Sequence, residues 1–484
     1  MGSLDKIEHV VVLMLENRSF DCLLGRLYVG RDDFDGLKGN ETNRAPDGTE
    51  IQVWNNDGTD PKTMSIPDPD PGELWVEMNT QLFGTPTVPD PPVATMNGFV
   101  ASYVAQAARE GGVYDPKNVM HYFVPKQVPV ISTLAEKFAV CDRWFASAPC
   151  QTWPNRFFVH AATASGHENN QPLSLPFPYP METIYRRFAL AGRDDWKIYY
   201  HDIAQSHTLA DLLLFADHFQ FINAFRDDAR AGTLPAYSFI EPRYFPLLND
   251  LPNDQHPPHN VALAEQLIAD VYNWLRSGPQ WTSTLLVITY DEHGGCFDHV
   301  PPPAAVPPSA TPTTPFNFDR YGVRVPAVIV SPYVAPGTIM RPPGAVPFDH
   351  TSIIATLRRR WPQLGGPLTA RDAVAPDLDA VLSLSRPDNL GPEEIVAQRA
   401  TPSPTEVAQA QTMPLNGMQR ALVNLAANLP NTTGAVNFEA AVAGQLAELH
   451  ANGPKQVPLG VDTSHAGAAV DFIRHQMSGF FHGL

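Results

Sequence analysis

The run Thr282 to Tyr290 is apolar and β-branched over the length of a buried strand, and it empties into Asp291-Glu292-His293-Gly294-Gly295, with Asp298-His299 just beyond. A strand that is apolar on both faces must be covered on both faces, which places it inside an α/β sheet. Its carboxyl end is then where such a sheet opens its ligand crevice. A turn after a strand needs one acidic residue and a glycine; three acidic residues and two imidazoles there point to chemistry. The glycine pair lets the backbone turn sharply and approach a bound group closely.

The other end of the chain repeats the device. Ile7 to Leu15 reads as a second short buried strand, and it ends in Glu16-Asn17-Arg18-Ser19-Phe20-Asp21. Alone, Glu16-Asn17 is as easily a helix cap. If the two strands are neighbours in one parallel sheet, however, Glu16, Asn17, Asp291 and Glu292 meet in one crevice, and four hard oxygen donors make a divalent-cation site.

A third segment offers a hydroxyl. Phe138 to Phe145 reads as a short strand or buried segment, and Phe157 to Ala164 is an apolar run of helical length. Thr152 falls at or just before that helix's N-terminus, with Pro154 in the first turn where its missing N–H costs nothing. Spacing alone favours a capping role for Thr152. The same position carries free amides and the positive end of the helix dipole, which suit a phosphate oxygen, and Arg156 one turn on is placed for a bidentate contact to that anion.

These motifs together resemble the phosphoesterase family of bacterial and fungal phospholipases C and acid phosphatases. The resemblance rests on Glu16-Asn17-Arg18-Ser19-Phe20-Asp21, Thr152-Trp153-Pro154-Asn155-Arg156, Asp291 to Gly295 with Asp298-His299-Val300-Pro301-Pro302, and Phe348-Asp349-His350-Thr351-Ser352, in the family's order, from Ile7 to about Asp372. It implies an alkaline-phosphatase-like α/β core, with a mostly parallel central sheet covered by helices on both faces. It also implies one divalent metal held by Glu16, Asn17, Thr152, Asp291 and Glu292, with Thr152 the nucleophile. The family's site histidines map onto His256, His299 and His350, which become candidate acids for the leaving group, and Asn155 joins Arg156 as a candidate substrate contact. His293 reads as structural, and His259 has no counterpart. Where the family has His after Phe-Asp, this chain has Cys22. Cys150 and Cys296 would bring thiols near the pocket.

The implied activity is metal-dependent hydrolysis of phosphoric esters through a phospho-threonine, with transfer to an alcohol as a variant outcome. Oxygen ligands suit Ca²⁺, Mg²⁺ or Mn²⁺; a histidine ligand would bring in Zn²⁺. Phospholipids and small phosphomonoesters both remain open as substrates. A sulfuric-ester hydrolase would use a similar sheet and metal, but Cys150-Gln151-Thr152-Trp153-Pro154 does not look like a formylglycine motif. A non-catalytic, metal-stabilised binding protein is the third class, and it would leave Thr152 dispensable.

A net charge of −18 over 484 residues argues against nucleic acid as the partner and disfavours rest on anionic lipid, although a metal and an arginine can reverse the field locally. The four cysteines, Cys22, Cys141, Cys150 and Cys296, form no zinc or disulfide pattern. No apolar run is long enough to span a membrane. With no basic, then apolar, leader at its start, the sequence as it stands reads as cytoplasmic; a secreted or periplasmic protein whose leader was removed is the alternative, which Met1-Gly2-Ser3 would permit.

Organisation divides at about residue 400. Residues 1–400 read as the α/β core, interrupted by a Pro- and Asp-rich excursion over about 32–92 and a Pro-Ala-Thr-Ser segment over 301–316, both taken as crevice walls or lids. Val261 to Leu275 is a sheet-covering helix. Residues 401–484 read as a helical extension, with helices at Met418 to Leu429, Phe438 to His450 and Val470 to Phe481. This extension is expected as a cap or oligomer contact, with substrate or membrane-surface contact through Phe480-Phe481 as the other reading. His450, His465, His475 and His482 read as surface histidines.

Overall fold

Apolar runs without polar interruption fold into the centre of a sheet in the computed structural model, which describes residues 3–110, 114–171, 177–247, 249–313, 316–398 and 402–482. The strands are β1 (His9–Leu15), a small separate hairpin of β2 (Thr42–Arg44) and β3 (Glu50–Gln52), β4 (Ala139–Cys141), β5 (Trp196–Tyr200), β6 (Phe219–Phe221), β7 (Tyr237–Ile240), β8 (Thr284–Tyr290), β9 (Ala327–Val330) and β10 (Thr338–Met340). Eight of them form one sheet in the order β10-β4-β9-β8-β1-β7-β5-β6. Every pairing is parallel except those of β9, which runs against both β8 and β4. The fold is therefore α/β with a mostly parallel sheet. β1 and β8 are buried at every position, as two-sided coverage demands of aliphatic strands in the middle of a sheet.

Register does the positioning. β1 and β8 lie side by side, from His9 against Thr284 to Leu15 against Tyr290, and the Asp291 amide donates to the Leu15 carbonyl at 3.2 Å. Glu16-Asn17 and Asp291-Glu292 thus leave adjacent strands at the same level. The helix Val261–Ser277 starts on an Asn260 cap and covers the sheet.

The excursion over 32–92 packs with the following helix Phe99–Glu110 around a second apolar core that includes Leu82, Phe99, Val100 and Tyr103, and it contains a helix at Trp75–Phe83. In the segment 301–316, Thr314 and Pro315 lie outside the described residues; Phe316 rests on the Trp75 ring at 4.5 Å. The boundary at 400/401 also lies outside them. Beyond it come helices at Pro404–Thr412, Gly417–Ala427, Phe438–Asn452 and Ala466–Phe481. The reading that placed Phe480-Phe481 at a membrane or substrate surface is corrected for Phe480, which is fully buried with its ring 5.4 Å from that of His207; Phe481 is half-buried, stacks on Tyr200 and lines a cavity with Phe221. Two adjacent aromatics at the end of an amphipathic helix anchor it to the core here.

Candidate active site

Thr152 is the first residue of the helix Thr152–Ala161, and Gln151 is its N-cap, so Thr152 is not itself the cap. Its hydroxyl donates to Asn17 Oδ1 at 3.2 Å. Asn17 ties the site together: its amide nitrogen donates to Glu292 Oε1 at 2.8 Å and to Glu73 Oε1 at 2.6 Å, and its backbone N–H to Asp291 Oδ1 at 2.9 Å. The non-glycine φ of +54° at Asn17 marks a backbone turned sharply to make all these contacts. Opposite it, Gly294 comes so close that a β-carbon there would lie 2.1 Å from the Asn17 carbonyl oxygen, so only glycine fits.

All of these groups are buried, and their electrostatics are unbalanced. Burial first, then repulsion from Asp291, pushes Glu16 and Glu292 well above the usual carboxylate range. Glu73 is raised by burial and by Glu292, and Asp291 by burial, with Arg156 pulling back. Glu16 Oε2 and Asp291 Oδ2 are buried without a hydrogen-bond partner among the described residues. Orphaned carboxylate oxygens beside a hydroxyl and an amide oxygen are a donor set that fits a hard divalent cation, whose charge would also relieve the repulsion. Glu73 and Asp70, which come from the Pro-rich excursion, are the site residues the sequence reading missed. With no periodicity around them, only their position in space gives them away. Asp70, Glu73 and His256 bring ligand-type atoms within 4.8 Å of one another.

Arg156 and Asn155 are not where they were expected. Arg156 is buried beneath the carboxylates, with Nη2 2.5 Å from Glu16 Oε1 and also on the Met14 carbonyl, and Nε 3.5 Å from Asp291 Oδ2. It therefore neutralises the carboxylates instead of reaching for a substrate anion. Asn155 spends both ends of its amide on the backbone of the loop that presents Thr152, accepting from the Ala148 N–H and donating to the carbonyls of Ala148, Cys150 and Gln151.

The three candidate histidines separate cleanly. His350 is the N-terminal flank of the helix Thr351–Arg360, so Thr351 and Ser352 lie within that helix instead of capping it. Its Nε2 donates to the Asp291 carbonyl at 2.6 Å and its Nδ1 accepts from Trp144 Nε1 at 3.3 Å, while Asp349 turns away to Ser147 and Thr351. Both ring nitrogens are thus committed, and burial drops this imidazole to about 4. His350→Ala should accordingly slow esters of poor and good leaving groups by the same factor, about 10- to 100-fold through loosening of Asp291, when rates on alkyl and nitrophenyl esters are compared. A selective loss on the alkyl esters would restore it as the acid.

His299 belongs to an ion-pair network. Burial opposes its charge, but Nδ1 on Asp21 at 2.6 Å and Nε2 on Asp35 at 3.2 Å outweigh that and hold it up at about 10. Arg324 occupies Asp21 and Asp298 at 3.0 Å each. With an unfolded value of about 6.5, this imidazolium stabilises the fold fully below about pH 6.5, and the contribution fades as pH rises through 10. His299→Ala should therefore lower Tm markedly at pH 6 and much less at pH 10.5. An equal loss at both would assign the effect to packing.

His256 remains, and it faces the site. Its Nδ1 donates to the Pro257 carbonyl at 2.7 Å, and Nε2 lies 3.7 Å from Glu73 Oε1. His293 braces Glu292 from behind, with its other nitrogen on Gln81. The hydrogen bond from the Cys296 thiol, and after it the Arg18 guanidinium alongside, hold the Cys22 thiol below its usual range against the opposing effect of burial.

A cavity of 440 Å³ opens over Glu73 and Gln151, the neighbours of Asn17 and Thr152. The excursion gives one wall, and the C-terminal helices give another through Arg420, Asn424 and Lys455. Residues 301–313 line no part of it.

A hydroxyl at a helix N-terminus among buried carboxylates, set at the carboxyl ends of a mostly parallel sheet, is the layout of a hydrolase of anionic esters. The chain belongs to the phosphoesterase family, whose model matches residues 7–363, and it is a phosphoric ester hydrolase. It is 38% identical to non-specific phospholipase C3 of Arabidopsis thaliana over 411 residues, covering 80% of this chain and 75% of that one. It is 28% identical to phospholipase C A of Mycobacterium tuberculosis, covering 80% and 79%. A solved protein of the alkaline phosphatase superfamily from Vibrio parahaemolyticus overlaps 51% of this chain and 64% of that one at TM-score 0.31 and 11% identity, too remote to add to the sheet topology. No helix among the described residues is long and apolar enough to cross a membrane.

Proposed function

We propose that this chain cleaves phospholipids in the manner of a phospholipase C, through a phosphoryl group held covalently on Thr152. The observation that carries this reading is the Thr152 hydroxyl donating to Asn17 Oδ1 at the N-terminus of a buried helix. Residues 1–400 carry the chemistry, and the extension over 401–484 shapes the cavity that receives the headgroup.

Glu16, Asn17, Thr152, Asp291 and Glu292 would hold one divalent ion, which supplies Lewis acidity at the phosphoryl oxygen and lowers the pKa of the nucleophilic hydroxyl. Asn17 orients the Thr152 Oγ1–H bond and so aims the oxygen lone pairs. Oγ1 gives up its proton to the surrounding carboxylates and attacks phosphorus, the bond to the diacylglycerol oxygen breaks, that oxygen takes up a proton and leaves as the alcohol, and the phosphoryl headgroup is left esterified to Thr152. Water then attacks that phosphorus and releases the phosphorylated headgroup, or an alcohol captures it instead. Of the first amides of the Thr152 helix, that of Trp153 is taken by Asn170 Oδ1 at 2.8 Å and Pro154 has none, so support of the equatorial oxygens from this helix falls to the Thr152 N–H. Arg156 keeps Glu16 and Asp291 in place, and the His256–Glu73 side is the flank from which the leaving oxygen is met.

The test is release of p-nitrophenol from its phosphate monoester, its phosphocholine diester and its sulfate, each with and without chelator, alongside release of diacylglycerol from phosphatidylcholine. Diester cleavage and diacylglycerol release that both disappear with chelator are expected. Preference for the sulfate would overturn the reading.

A further inference from the structure

We propose that Asn170 and Gln151 form a carboxamide cradle that donates hydrogen bonds to a non-bridging oxygen of the phosphoryl group at Thr152. The inference rests on the reading of Thr152 as nucleophile and adds to it the protein groups that face the developing charge.

A phosphoryl group attacked by Thr152 gathers charge on its equatorial oxygens, and the start of the Thr152 helix is poorly supplied to meet it. The Trp153 N–H is taken, Pro154 has none, and the Asn155 N–H turns back to the Gln151 carbonyl at 3.4 Å. Arg156, the guanidinium of that helix, is spent on Glu16 and Asp291. Further donors must come from beside the helix.

Asn170 is placed to be one. It is 4% exposed and lines the 440 Å³ cavity. Its Oδ1 accepts from the Trp153 N–H at 2.8 Å, which fixes the sense of the amide, since the reverse would set two donors against each other. Nδ2 is then the other end, and it is buried with no hydrogen-bond partner among the described residues. A buried donor without a partner is costly, which marks it as kept for a group that arrives. The dimensions of the amide hold Nδ2 within about 5 Å of the Trp153 nitrogen, the next backbone atom but one after the Thr152 α-carbon. By receiving a helix amide on its oxygen, the carboxamide is polarised and passes the positive end of the helix on to Nδ2.

Gln151 repeats the arrangement. Its Oε1 accepts from the Asn170 backbone N–H at 3.1 Å, which leaves Nε2 as the donor end, and the residue lines the same cavity. The Gln151 N–H in turn donates to the Glu168 carbonyl at 3.4 Å. Three hydrogen bonds thus clasp residues 168–170 to 151–153, so both carboxamides are set before a substrate enters, the condition under which such donors are most effective. A cation in this place would pair with the neighbouring carboxylates, as Arg156 does. A carboxamide whose oxygen is held by the backbone keeps its N–H groups for the phosphoryl oxygen.

The experiment compares p-nitrophenyl phosphocholine with the two diastereomers of its phosphorothioate, in which sulfur replaces one non-bridging oxygen or the other. On the oxygen ester, Asn170→Ala should lower kcat/KM about 100-fold and Gln151→Met, whose side chain is less buried, about 10-fold. Sulfur is a weak acceptor, so the diastereomer with sulfur in the cradle should lose little more in either variant, while the other diastereomer should lose as much as the oxygen ester. Asn170→Ala also uncaps the Trp153 N–H, but a loosened helix start slows all three esters alike, and Gln151→Met carries the same comparison if Asn170→Ala folds poorly. Independently of turnover, inorganic vanadate titrated calorimetrically should bind both variants about 10-fold or more weakly than wild type. Equal losses on all three esters overturn the cradle and leave Asn170 as a brace for the helix start, and so does undiminished kcat/KM in both variants. Thr152→Val, run alongside, separates the two readings. If it keeps turnover, the assignment of Thr152 fails and the cradle with it; if it loses turnover while the cradle variants keep theirs, the cradle alone fails.

Discussion

Thr152→Val is expected to fold like wild type and to lose turnover by about four orders of magnitude or more. Thr152 is fully buried, and valine keeps its volume and its β-branching, so the helix start is undisturbed. What disappears is the hydroxyl and, with it, the hydrogen bond to Asn17 Oδ1. Because the Thr152 loop is held by Asn155, the rest of the site does not depend on that contact for its shape. A matching urea midpoint with abolished hydrolysis separates chemistry from stability. Rapid quenching of wild type during turnover, followed by mass analysis, should find phosphate or a phosphoryl headgroup on the peptide containing Thr152. Two successive in-line displacements also retain configuration at phosphorus. Inversion in a chiral substrate would mean a single direct displacement by water, and the covalent route would be wrong.

The parts of this site legible in the sequence are those that ride on regular elements. β1 and β8 announce themselves because a strand buried on both faces tolerates no polar residue until it leaves the sheet, so the first carboxylates after Leu15 and Tyr290 mark the strand ends. Their adjacency follows from parallel packing and is visible in the register. The reversal of β9 was not legible, because a four-residue aliphatic strand reads the same in either direction. Side-chain direction was not legible either. Arg156 lies one turn beyond Thr152, as its spacing requires, yet it points under the sheet end toward Glu16, because two buried carboxylates attract a guanidinium more strongly than an anion not yet present. Glu73 sits where no periodicity could have placed it. Glu241 was likewise overlooked: it ends β7, accepts from the backbone of Gln205 and Ser206, and so steadies the Gln205 amide on Glu16 at 2.7 Å. The C-terminal helices were readable as helices from their apolar spacing, but that they wall the cavity depends on tertiary packing of Gln419 against Tyr244, which spacing does not encode.

Removing Asp291 or Glu16 should remove one equivalent of metal and lower turnover by about three orders of magnitude or more, and the two changes should differ in what they do to the metal-free fold. Asp291→Asn keeps Oδ1, the oxygen that accepts from the Asn17 and Glu292 backbone amides, and alters only Oδ2, which makes no hydrogen bond among the described residues and faces Arg156 Nε at 3.5 Å, while Arg156 keeps its closer contact to Glu16. It also takes one negative charge out of a buried, mutually repelling set. The chelated variant should therefore melt within a few degrees of chelated wild type. Glu16→Ala instead strips Arg156 and Gln205 of a shared acceptor and leaves a buried guanidinium short of a partner, so the metal-free protein should lose about 3–5 kcal/mol. Added divalent ion separates the cases further. An ion at 1,000 times its dissociation constant stabilises the folded state by about 4 kcal/mol, so wild type should gain several degrees in Tm on titration. Asp291→Asn should gain less, by the share that belonged to the site it can no longer close. The measurement is Tm against metal concentration, with metal content determined on the same samples. Full metal content and an undiminished Tm rise in both variants would show that Glu16 and Asp291 do not share an ion, and would leave their raised carboxyl pKa values to be explained by protonation alone.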